Sequence, residues 1–398
     1  MPPEALTPEN EDELFEVLRE ASEAQRCIEL GGAFTKRTMG GEPPTDASVV
    51  SLARINRLLA YEPNDLTVSV EAGMPLAELR RLLAENNQML PLDPPFAAGC
   101  TIGGVVAADV SGPRRRRFGT CRDMVIGMRF AAADAKLIQS GGMVVKNVTG
   151  LDMAKLMIGS LGTLGVVVSV NFRVYPRPEH SASFAFLSDR LETLDALRTS
   201  ILRGVAQPVA LDLVNAAAMR RMGADLANEY ALVAEAVGSE AVVKRYRGEY
   251  SRLAVAEECE FLAFDDEASE NVWKPIRELA STLVYDDPEA YVLRVVANPA
   301  RTLKAAAAIV DAGEAPLVAR AANGVVYAGC SGLEAASQRV DRLRAQGWAT
   351  LVEHAPSGRK AELQQWHDPD RGLEIMRRIK ERIDPGGLLN PGRLYGRL

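Results

Sequence analysis

Histidine and paired cysteines are scarce in this sequence of 398 residues. It has three histidines, His180, His354 and His367, and five cysteines, none close enough to another to form a CxxC pair. CxxC is a common ligand spacing of structural zinc and iron–sulfur sites, so we expect no such site within this chain. The scattered histidines likewise argue against a metal site built from histidine pairs. Isolated cysteines in a cytoplasmic protein are usually buried, small apolar residues.

Long apolar runs and an excess of positive charge are also missing. No hydrophobic run approaches the roughly 20 residues that span a bilayer. The first residues, MPPEALTPENEDELF, are acidic, unlike a signal or transit peptide. The net charge of −7 argues against general nucleic-acid binding. We expect a cytoplasmic protein of bacterial type, without a transmembrane segment and with two or three domains.

The pattern of apolar residues changes along the chain. Residues 1–175 predict an α+β unit of mostly short strands, with a first helix capped by Thr7 and opened by Pro8. The segment FAAGCTIGGVVAADVSG (residues 96–112) is small, glycine-rich and only weakly periodic. Residues 180–353 alternate strand and helix patterns, which predicts an antiparallel sheet backed by helices on one face.

Three stretches are dense in glycine: GGAFTKR, GCTIGGVVAADVSG and GSLGTLG. Each alone is compatible with a simple tight turn. Glycine also allows a close approach to a ligand, and its exposed N–H group can help to cradle an anion. The spacing fits neither a P-loop nor a GxGxxG dinucleotide motif. Three such stretches near strand ends therefore favour a long, pyrophosphate-bearing cofactor that several loops contact.

Longer motifs carry a resemblance to a known family. They are GG-x-x-TKR, PLDPP, GCTIGGVVAADVSGPRRRRFGTCRD, KNVTGLDMAKLMIGSLGTLGVVVSV and the ending DPGGLLNPGRL. In this order they resemble the FAD-binding domain of the p-cresol methylhydroxylase (vanillyl-alcohol oxidase) superfamily. Within it they are most similar to the FAD-binding small subunits of bacterial glycolate oxidases, also called glycolate dehydrogenases.

The resemblance implies an α+β fold in three parts. Residues 1–178 are expected to form the FAD-binding domain and residues 179–355 an α+β cap or substrate domain. Residues 356–398 are expected to form a C-terminal helix and a tail that packs on the FAD domain and returns to the flavin.

The resemblance also implies the cofactor and its contacts. The first loop wraps the FAD pyrophosphate, the second forms another phosphate wall, and the remaining residues approach the flavin or the adenine. The implied FAD-binding residues are Gly31, Gly32, Ala33, Phe34, Thr35, Lys36, Arg37, Pro91, Leu92, Asp93, Gly99, Thr101, Gly103, Gly104, Ser111, Gly112, Gly119, Val166, Val167, Asn390 and Arg393. The first loop has no histidine, and Cys100 is out of register with a flavin-linking cysteine, so FAD is expected to be non-covalent.

The implied function is that of an FAD-binding subunit of a multi-subunit glycolate oxidase. Such a complex oxidises glycolate to glyoxylate, and this chain would carry or relay electrons. Its partners would be a second FAD-binding subunit and an iron–sulfur subunit, which could hold the complex at the inner face of the cell membrane. Two alternatives stay open: a stand-alone FAD-dependent 2-hydroxy-acid dehydrogenase, and a structural subunit with a vestigial flavin fold.

Catalytic residues are not identified by the sequence, and the weak candidates are Arg114, Arg115, Arg116 and Lys146. The arginine run 114–117 is either a solvated basic loop or a partner for FAD, reduced flavin or an acidic subunit. Lys146, with Asn147, is either a plain strand-end pair or flavin-proximal. His367 is either a helix-entry residue or a catalytic base.

Overall fold

The computed structural model describes residues 5–143, 151–367, 369, 372–396 and 398. The chain divides into two compact units. The first unit contains Met1–Val110, Gly119–Arg177 and Gln364–Leu398, and the second contains Ser111–Phe118 and Pro178–Leu363. In the part of the chain that is described, no helix is both long and apolar enough to cross a bilayer.

The strands are short in the first unit and longer in the second. They are β1 (Ile28–Gly31), β2 (Ser48–Ser51), β3 (Leu58–Glu62), β4 (Thr67–Glu71), β5 (Gln88–Met89), β6 (Val125–Ala131), β7 (Leu137–Gly141), β8 (Val166–Arg173), β9 (Tyr175–Pro176), β10 (His180–Ser188), β11 (Ala210–Asn215), β12 (Tyr230–Gly238), β13 (Glu260–Asp265), β14 (Ala290–Val296), β15 (Leu317–Arg320), β16 (Val325–Ser331) and β17 (Ala349–His354).

The helices range from single turns to one of 21 residues. They are α1 (Glu11–Glu23), α2 (Leu76–Ala84), α3 (Ile102–Ala108), α4 (Arg115–Phe118), α5 (Cys121–Met124), α6 (Met153–Met157), α7 (Leu191–Arg203), α8 (Ala216–Arg221), α9 (Glu240–Ala256), α10 (Asp266–Asp286), α11 (Thr302–Asp311), α12 (Leu333–Ala345) and α13 (Gly372–Ile383).

The first unit combines a small parallel sheet with a five-stranded antiparallel one. Strands β1 and β2 pair in parallel, and a bridge from Ile28 to Leu389 adds the C-terminal tail to their edge. The larger sheet has the order β3-β4-β8-β6-β7. Alternating apolar residues of β8, such as Val168 and Val170, are fully buried in it. This arrangement brings the end of β1, the start of β8 and the tail to one region of the unit.

The second unit is built on an eight-stranded antiparallel sheet with the order β13-β10-β12-β11-β15-β16-β14-β17. Helices α7, α9 and α11 pack on one face, against buried side chains that include Phe184 and Phe186. Helix α10 packs on the other face through Trp273 and Ile276. The predicted α+β architecture is confirmed. The expectation of helices on one face is wrong, because the strands carry apolar residues on both faces and α10 covers the second.

One local prediction in the first unit is also wrong, and one helix was not predicted. Helix α1 begins at Glu11, and Asn10 caps it by accepting from the N–H of Glu13 at 3.0 Å. Thr7 and Pro8 therefore lie before the helix. The weakly periodic segment after residue 100 forms helix α3, capped by Thr101. Packing of Ile102, Val105 and Val106 in the core stabilises this helix despite its two glycines.

Candidate functional site

A cleft in the first unit collects the glycine-dense stretches. It holds about 770 Å³ of empty space, counted out to its open mouth. The loop after β1, the start of α3, the segment that leads into β8 and the C-terminal tail form its walls. Its lining residues are Leu30, Gly31, Gly32, Ala33, Phe34, Thr35, Lys36, Arg37, Leu52, Ala72, Thr101, Gly103, Gly104, Ala107, Ala108, Leu161, Gly162, Gly165, Val166, Val167, Asn390 and Arg393.

The loop after β1 presents its backbone to this cleft. Across the described residues, the N–H groups of Gly32, Ala33, Phe34 and Thr35 have no protein acceptor. Phe34 has a left-handed backbone with φ of +58°, the kind of turn that directs successive N–H groups to one side and forms an anion-binding concavity. Buried or cleft-facing amides need an acceptor, so this loop is suited to a negatively charged ligand.

Close backbone packing explains why glycine is required on this wall. A Cβ on Gly32 would overlap Oγ1 of Thr101 and lie 2.9 Å from its Cγ2. A Cβ on Gly103 would lie 2.8 Å from the Cβ of Ala72. The first two glycine-dense stretches therefore pack closely against their neighbours, and there is no room for a side chain at residue 32 or residue 103.

The C-terminal tail closes the cleft through two polar side chains. Asn390 Oδ1 accepts from the N–H of Leu30 at 2.6 Å, and Asn390 Nδ2 donates to the carbonyl of Leu161 at 2.7 Å. Arg393 donates to the carbonyl of Lys36 at 2.5 Å, and burial lowers the pKa of its guanidinium. Asn390 thus connects the end of β1 to the GSLGTLG stretch, and Arg393 connects the tail to the GGAFTKR loop.

The cations of the first loop are already engaged by the protein. Arg37 makes two hydrogen bonds of 2.7 Å to the carboxylate of Glu29, which is buried. These bonds raise the pKa of Arg37. The Lys36 ammonium lies 5.4 Å from the centre of the Phe96 ring. Since Glu29 neutralises Arg37, the amides rather than the guanidinium are the stronger candidates for holding an anion.

Seven of the sequence-predicted contacts lie outside the lining of the cleft. The buried Pro91, Leu92 and Asp93 lie next to Arg80, which donates to the carbonyl of Leu92 at 2.5 Å. Gly99 is exposed, and a Cβ on it would lie 3.6 Å from Cγ2 of Thr35. The remaining three are Ser111 and Gly112 in the second unit and Gly119 in the first.

In the arginine run 114–117, two side chains bond to other residues and two are exposed to solvent. Arg114 donates twice to Glu235, at 2.7 and 3.1 Å, and Arg116 donates to Gln207, all within the second unit. Arg115 and Arg117 are exposed. Two members of the run are therefore structural contacts of the second unit. Lys146 lies outside the described residues.

Sequence reasoning missed the apolar part of the lining. Leu30, Leu52, Ala72, Ala107 and Ala108 lie in the walls but carry no chemical signature of their own. Gly162 and Gly165 belong to the GSLGTLG stretch, but the resemblance implies no individual contact for either. Gly162 has φ of +73°, and a Cβ there would lie 2.7 Å from Nδ2 of Asn390.

The second unit carries a row of polar side chains across six neighbouring strands, all of them buried except the partly exposed Arg294. Residues of this polar row share the face covered by α10, because side chains alternate along each strand. Arg320 pairs with Asp212, Arg294 lies 3.3 Å from Glu353, and Arg294 and Tyr327 are direct cross-strand neighbours. The polar row consists of Glu235, Asp212, Arg320, Tyr327, Arg294 and Glu353. Over the described residues, no group of three or more His, Cys, Asp or Glu side chains could hold a metal ion.

Replacing Asn390 by Asp should destabilise the protein by about 1–3 kcal/mol. The aspartate keeps an oxygen for the N–H of Leu30 but places a second oxygen, in a buried position, against the carbonyl of Leu161. Urea-induced unfolding of the two proteins measures the difference.

Asn56→Asp is the matched control, since Asn56 is exposed and also donates to a carbonyl, that of Ala53 at 3.1 Å. We expect the control to change stability by less than about 0.5 kcal/mol. Equal effects of the two substitutions would contradict the role given to Asn390.

Two protein-family models match the chain. An FAD binding domain matches residues 2–141, and the C-terminal domain of FAD linked oxidases matches residues 340–394. The first match contains two of the glycine-dense stretches, and the second contains Asn390 and Arg393.

Curated relatives are similar over different shares of the chain. The glycolate oxidase subunit GlcD of Bacillus subtilis is 25% identical over 427 residues, covering 100% of this chain and 90% of the relative. The glycolate oxidase subunit GlcE of Escherichia coli is 34% identical over 171 residues, covering 43% of this chain and 48% of the relative. A mitochondrial D-lactate dehydrogenase [cytochrome] of Arabidopsis thaliana is 26% identical over 422 residues, covering 99% of this chain and 73% of the relative.

Solved structures show the same fold. A p-cresol methylhydroxylase with substrate bound superposes with a TM-score of 0.75 at 14% identity, covering 98% of this chain and 88% of that one. An alkyldihydroxyacetonephosphate synthase superposes with a TM-score of 0.74 at 16% identity, covering 97% of this chain and 76% of that one. The chain is therefore an FAD-dependent oxidoreductase with the fold of p-cresol methylhydroxylase, carrying the FAD-binding domain and the C-terminal domain of the FAD linked oxidases.

Proposed function

We propose that this chain is an FAD-binding subunit of a multi-subunit glycolate oxidase of the cytoplasm. The complex would oxidise glycolate to glyoxylate, and this chain would carry or relay the electrons. Similarity to two relatives that are both named as glycolate oxidase subunits supports the proposal. The partners would be a second FAD-binding subunit and an iron–sulfur subunit.

The observation that supports the proposal most directly is the run of amides from Gly32 to Thr35 at the edge of the cleft, which have no acceptor in the described part of the chain. A diphosphate offers the acceptors that these donors need. When bound, FAD supplies the two-electron acceptor for oxidation of a hydroxy acid.

The residues of this chain would hold FAD in separate parts of the cleft. Amides of residues 31–35 would bind the diphosphate, and Thr101, Gly103 and Gly104 would form the facing wall. Val166 and Val167 would contact the adenine end, and Asn390 and Arg393 would fix the tail near the flavin ring. The first unit would thus be the FAD domain and the second the cap or substrate domain.

FAD should be retained without a covalent bond. The chain purified alone is expected to be yellow, and trichloroacetic acid should release all of its flavin into the supernatant. The physical reason is that, among the described residues, the lining contains no histidine, cysteine or tyrosine, the residue types that link flavins. The absorbance of pellet and supernatant at 450 nm checks this. Flavin that stays in the pellet would refute non-covalent binding.

The subunit assignment is tested by purification of the tagged chain from its native host. We expect it to bring down a second flavoprotein and an iron–sulfur protein, with glycolate-dependent dye reduction by the complex only. A chain that purifies alone while glycolate oxidation remains in another fraction would refute the assignment.

A second candidate is a stand-alone 2-hydroxy-acid dehydrogenase, and the polar row of the second unit favours it. Placing two arginines and three carboxylates within the unit costs stability, and such groups concentrate at functional sites. Arg320 pairs with Asp212 and lies 5.8 Å from the centre of the Tyr327 ring, so a cation, a carboxylate and a phenol lie together in the row. Full-length similarity to a D-lactate dehydrogenase also agrees. Anaerobic bleaching of the isolated yellow chain by glycolate or D-lactate would select this candidate over the subunit.

A further inference from the structure

A second cleft lies entirely in the second unit, at the ends of β14 and β16. It holds about 1180 Å³ of empty space, counted out to its open mouth. Helices α8, α10 and α12 border it. Its ionisable lining residues are Arg220, Arg221, Asp287, Glu314, Cys330 and Arg339.

Arg339 is a buried cation without a counter-charge. Its side chain is 5% exposed, Nη1 lies 2.7 Å from Sγ of Cys330, and Nη2 donates to the carbonyl of Glu314 at 3.1 Å. Among the described residues, Nε has no hydrogen-bond partner and no carboxylate lies within 4.0 Å of the guanidinium. A guanidinium always carries its charge, so burial without an anion is costly.

The other strongly buried arginines of this unit are paired. Arg198 bonds to Asp195 at 2.7 Å, and Arg320 bonds to Asp212. Burial raises the pKa of the Cys330 thiol, although the nearby Arg339 acts in the opposite direction. We therefore take Cys330 as a neutral thiol, which leaves the charge of Arg339 uncompensated.

The start of α12 adds a second source of positive potential. This helix of 13 residues begins after Gly332, and no side chain caps it. The first N–H groups of a helix have no intrahelical acceptor, and they carry the positive end of the helix dipole. Ala335, in the first turn, lines the same cleft as Arg339.

We propose that this cleft is a second anion site, which binds a small carboxylate or phosphate compound between Arg339 and the first turn of α12. An oxyanion there would supply the counter-charge of Arg339 and accept from the uncapped amides. Arg220, paired with Glu314 at 3.0 Å, borders the same cleft. The site is separate from the FAD cleft of the first unit, and it does not depend on the proposed function.

The test is calorimetric titration of the FAD-loaded chain with inorganic phosphate, glycolate and glyoxylate at constant ionic strength. FAD occupies the first cleft, and the substitutions described below assign a saturable signal to the second cleft. We expect at least one of these anions to bind, and we expect Arg339→Gln to weaken binding roughly tenfold or more. The preferred anion distinguishes a phosphate ligand from a carboxylate one.

A second variant is needed, since Arg339→Gln disturbs a buried residue. Ala335→Asp puts a negative charge into the cleft at an exposed position, while the first turn of a helix tolerates aspartate. It should also weaken binding roughly tenfold. Ser337→Asp adds the same charge to α12 outside the lining and should bind as the unmodified chain does. Absence of saturable binding, or equal binding by the Ala335→Asp and Ser337→Asp variants, would overturn the proposal.

Discussion

Gly32→Ala is expected to weaken FAD binding on the order of 100-fold and to yield a colourless but folded protein. The added Cβ would overlap Oγ1 of Thr101 and lie 2.9 Å from its Cγ2. Because Thr101 also caps α3, it cannot move away without loss of its hydrogen bond to the N–H of Gly104, now 3.4 Å long. The first loop must therefore shift and carry its amides away from the position proposed for the diphosphate.

Gly142→Ala is the matched control, in the same unit and with nothing within 4 Å of its added Cβ. Fluorescence titration of the apoproteins with FAD measures both affinities, and circular dichroism checks that each variant is folded. The control should bind FAD as the unmodified chain does. If Gly32→Ala retains FAD with unchanged affinity, the first loop does not approach the cofactor as proposed.

A partial rescue sharpens this prediction. Thr101→Ala removes the two atoms that the Cβ at residue 32 overlaps most, so the double variant should regain part of the lost affinity. It should not regain all of it, since the remaining Cβ of residue 101 still lies 3.0 Å away and the cap of α3 is lost.

The glycine-dense stretches were the most informative part of the sequence for the site. Gly32 and Gly103 lack room for a side chain, and such positions leave a compositional trace that can be read without a structure. Leu30, Leu52 and Ala72 line the same cleft and leave no such trace, because any core position accepts these residue types. The backbone side of the site was therefore predictable, and its apolar side was not.

The partners of charged residues could not be predicted from the sequence, because some of them lie far away along the chain. The arginine run stands beside predicted flavin contacts in sequence, yet Arg114 is bonded to Glu235, 121 residues away. Arg37 likewise appears as a free cation until the fold places its guanidinium against Glu29. Helix α3 was missed for a related reason, since tertiary packing of Ile102 and Val105 overrides the low helix propensity of Gly103 and Gly104.

Lys380→Met is expected to lower the free energy of unfolding by about 3–5 kcal/mol. The buried ammonium donates to Asp384 at 2.6 Å and to the carbonyls of Thr163 at 2.6 Å and Leu389 at 2.9 Å. Removing it leaves the buried Asp384 carboxylate without its cation, although the N–H groups of Leu388 and Leu389 still donate to it. Urea-induced unfolding measures the loss, and Arg382→Met, an exposed change in the same helix, should change stability by less than about 0.5 kcal/mol.

The same substitution should also weaken FAD binding, because Lys380 holds two walls of the cleft together. Thr163 belongs to the GSLGTLG stretch, and Leu389 precedes Asn390 in the tail. Adding Asp384→Asn to Lys380→Met removes the unpaired charge and keeps one acceptor oxygen, but the new amide nitrogen faces one of the two N–H groups that Asp384 accepts from. The double variant should therefore be more stable than the single one but less stable than the unmodified chain. Its FAD affinity should stay low, because the carbonyls of Thr163 and Leu389 still lack the donor that Lys380 provided. A double variant less stable than Lys380→Met would show that the backbone amides alone stabilise the Asp384 carboxylate. It would also contradict the role of the Lys380 ammonium in stabilising the tail.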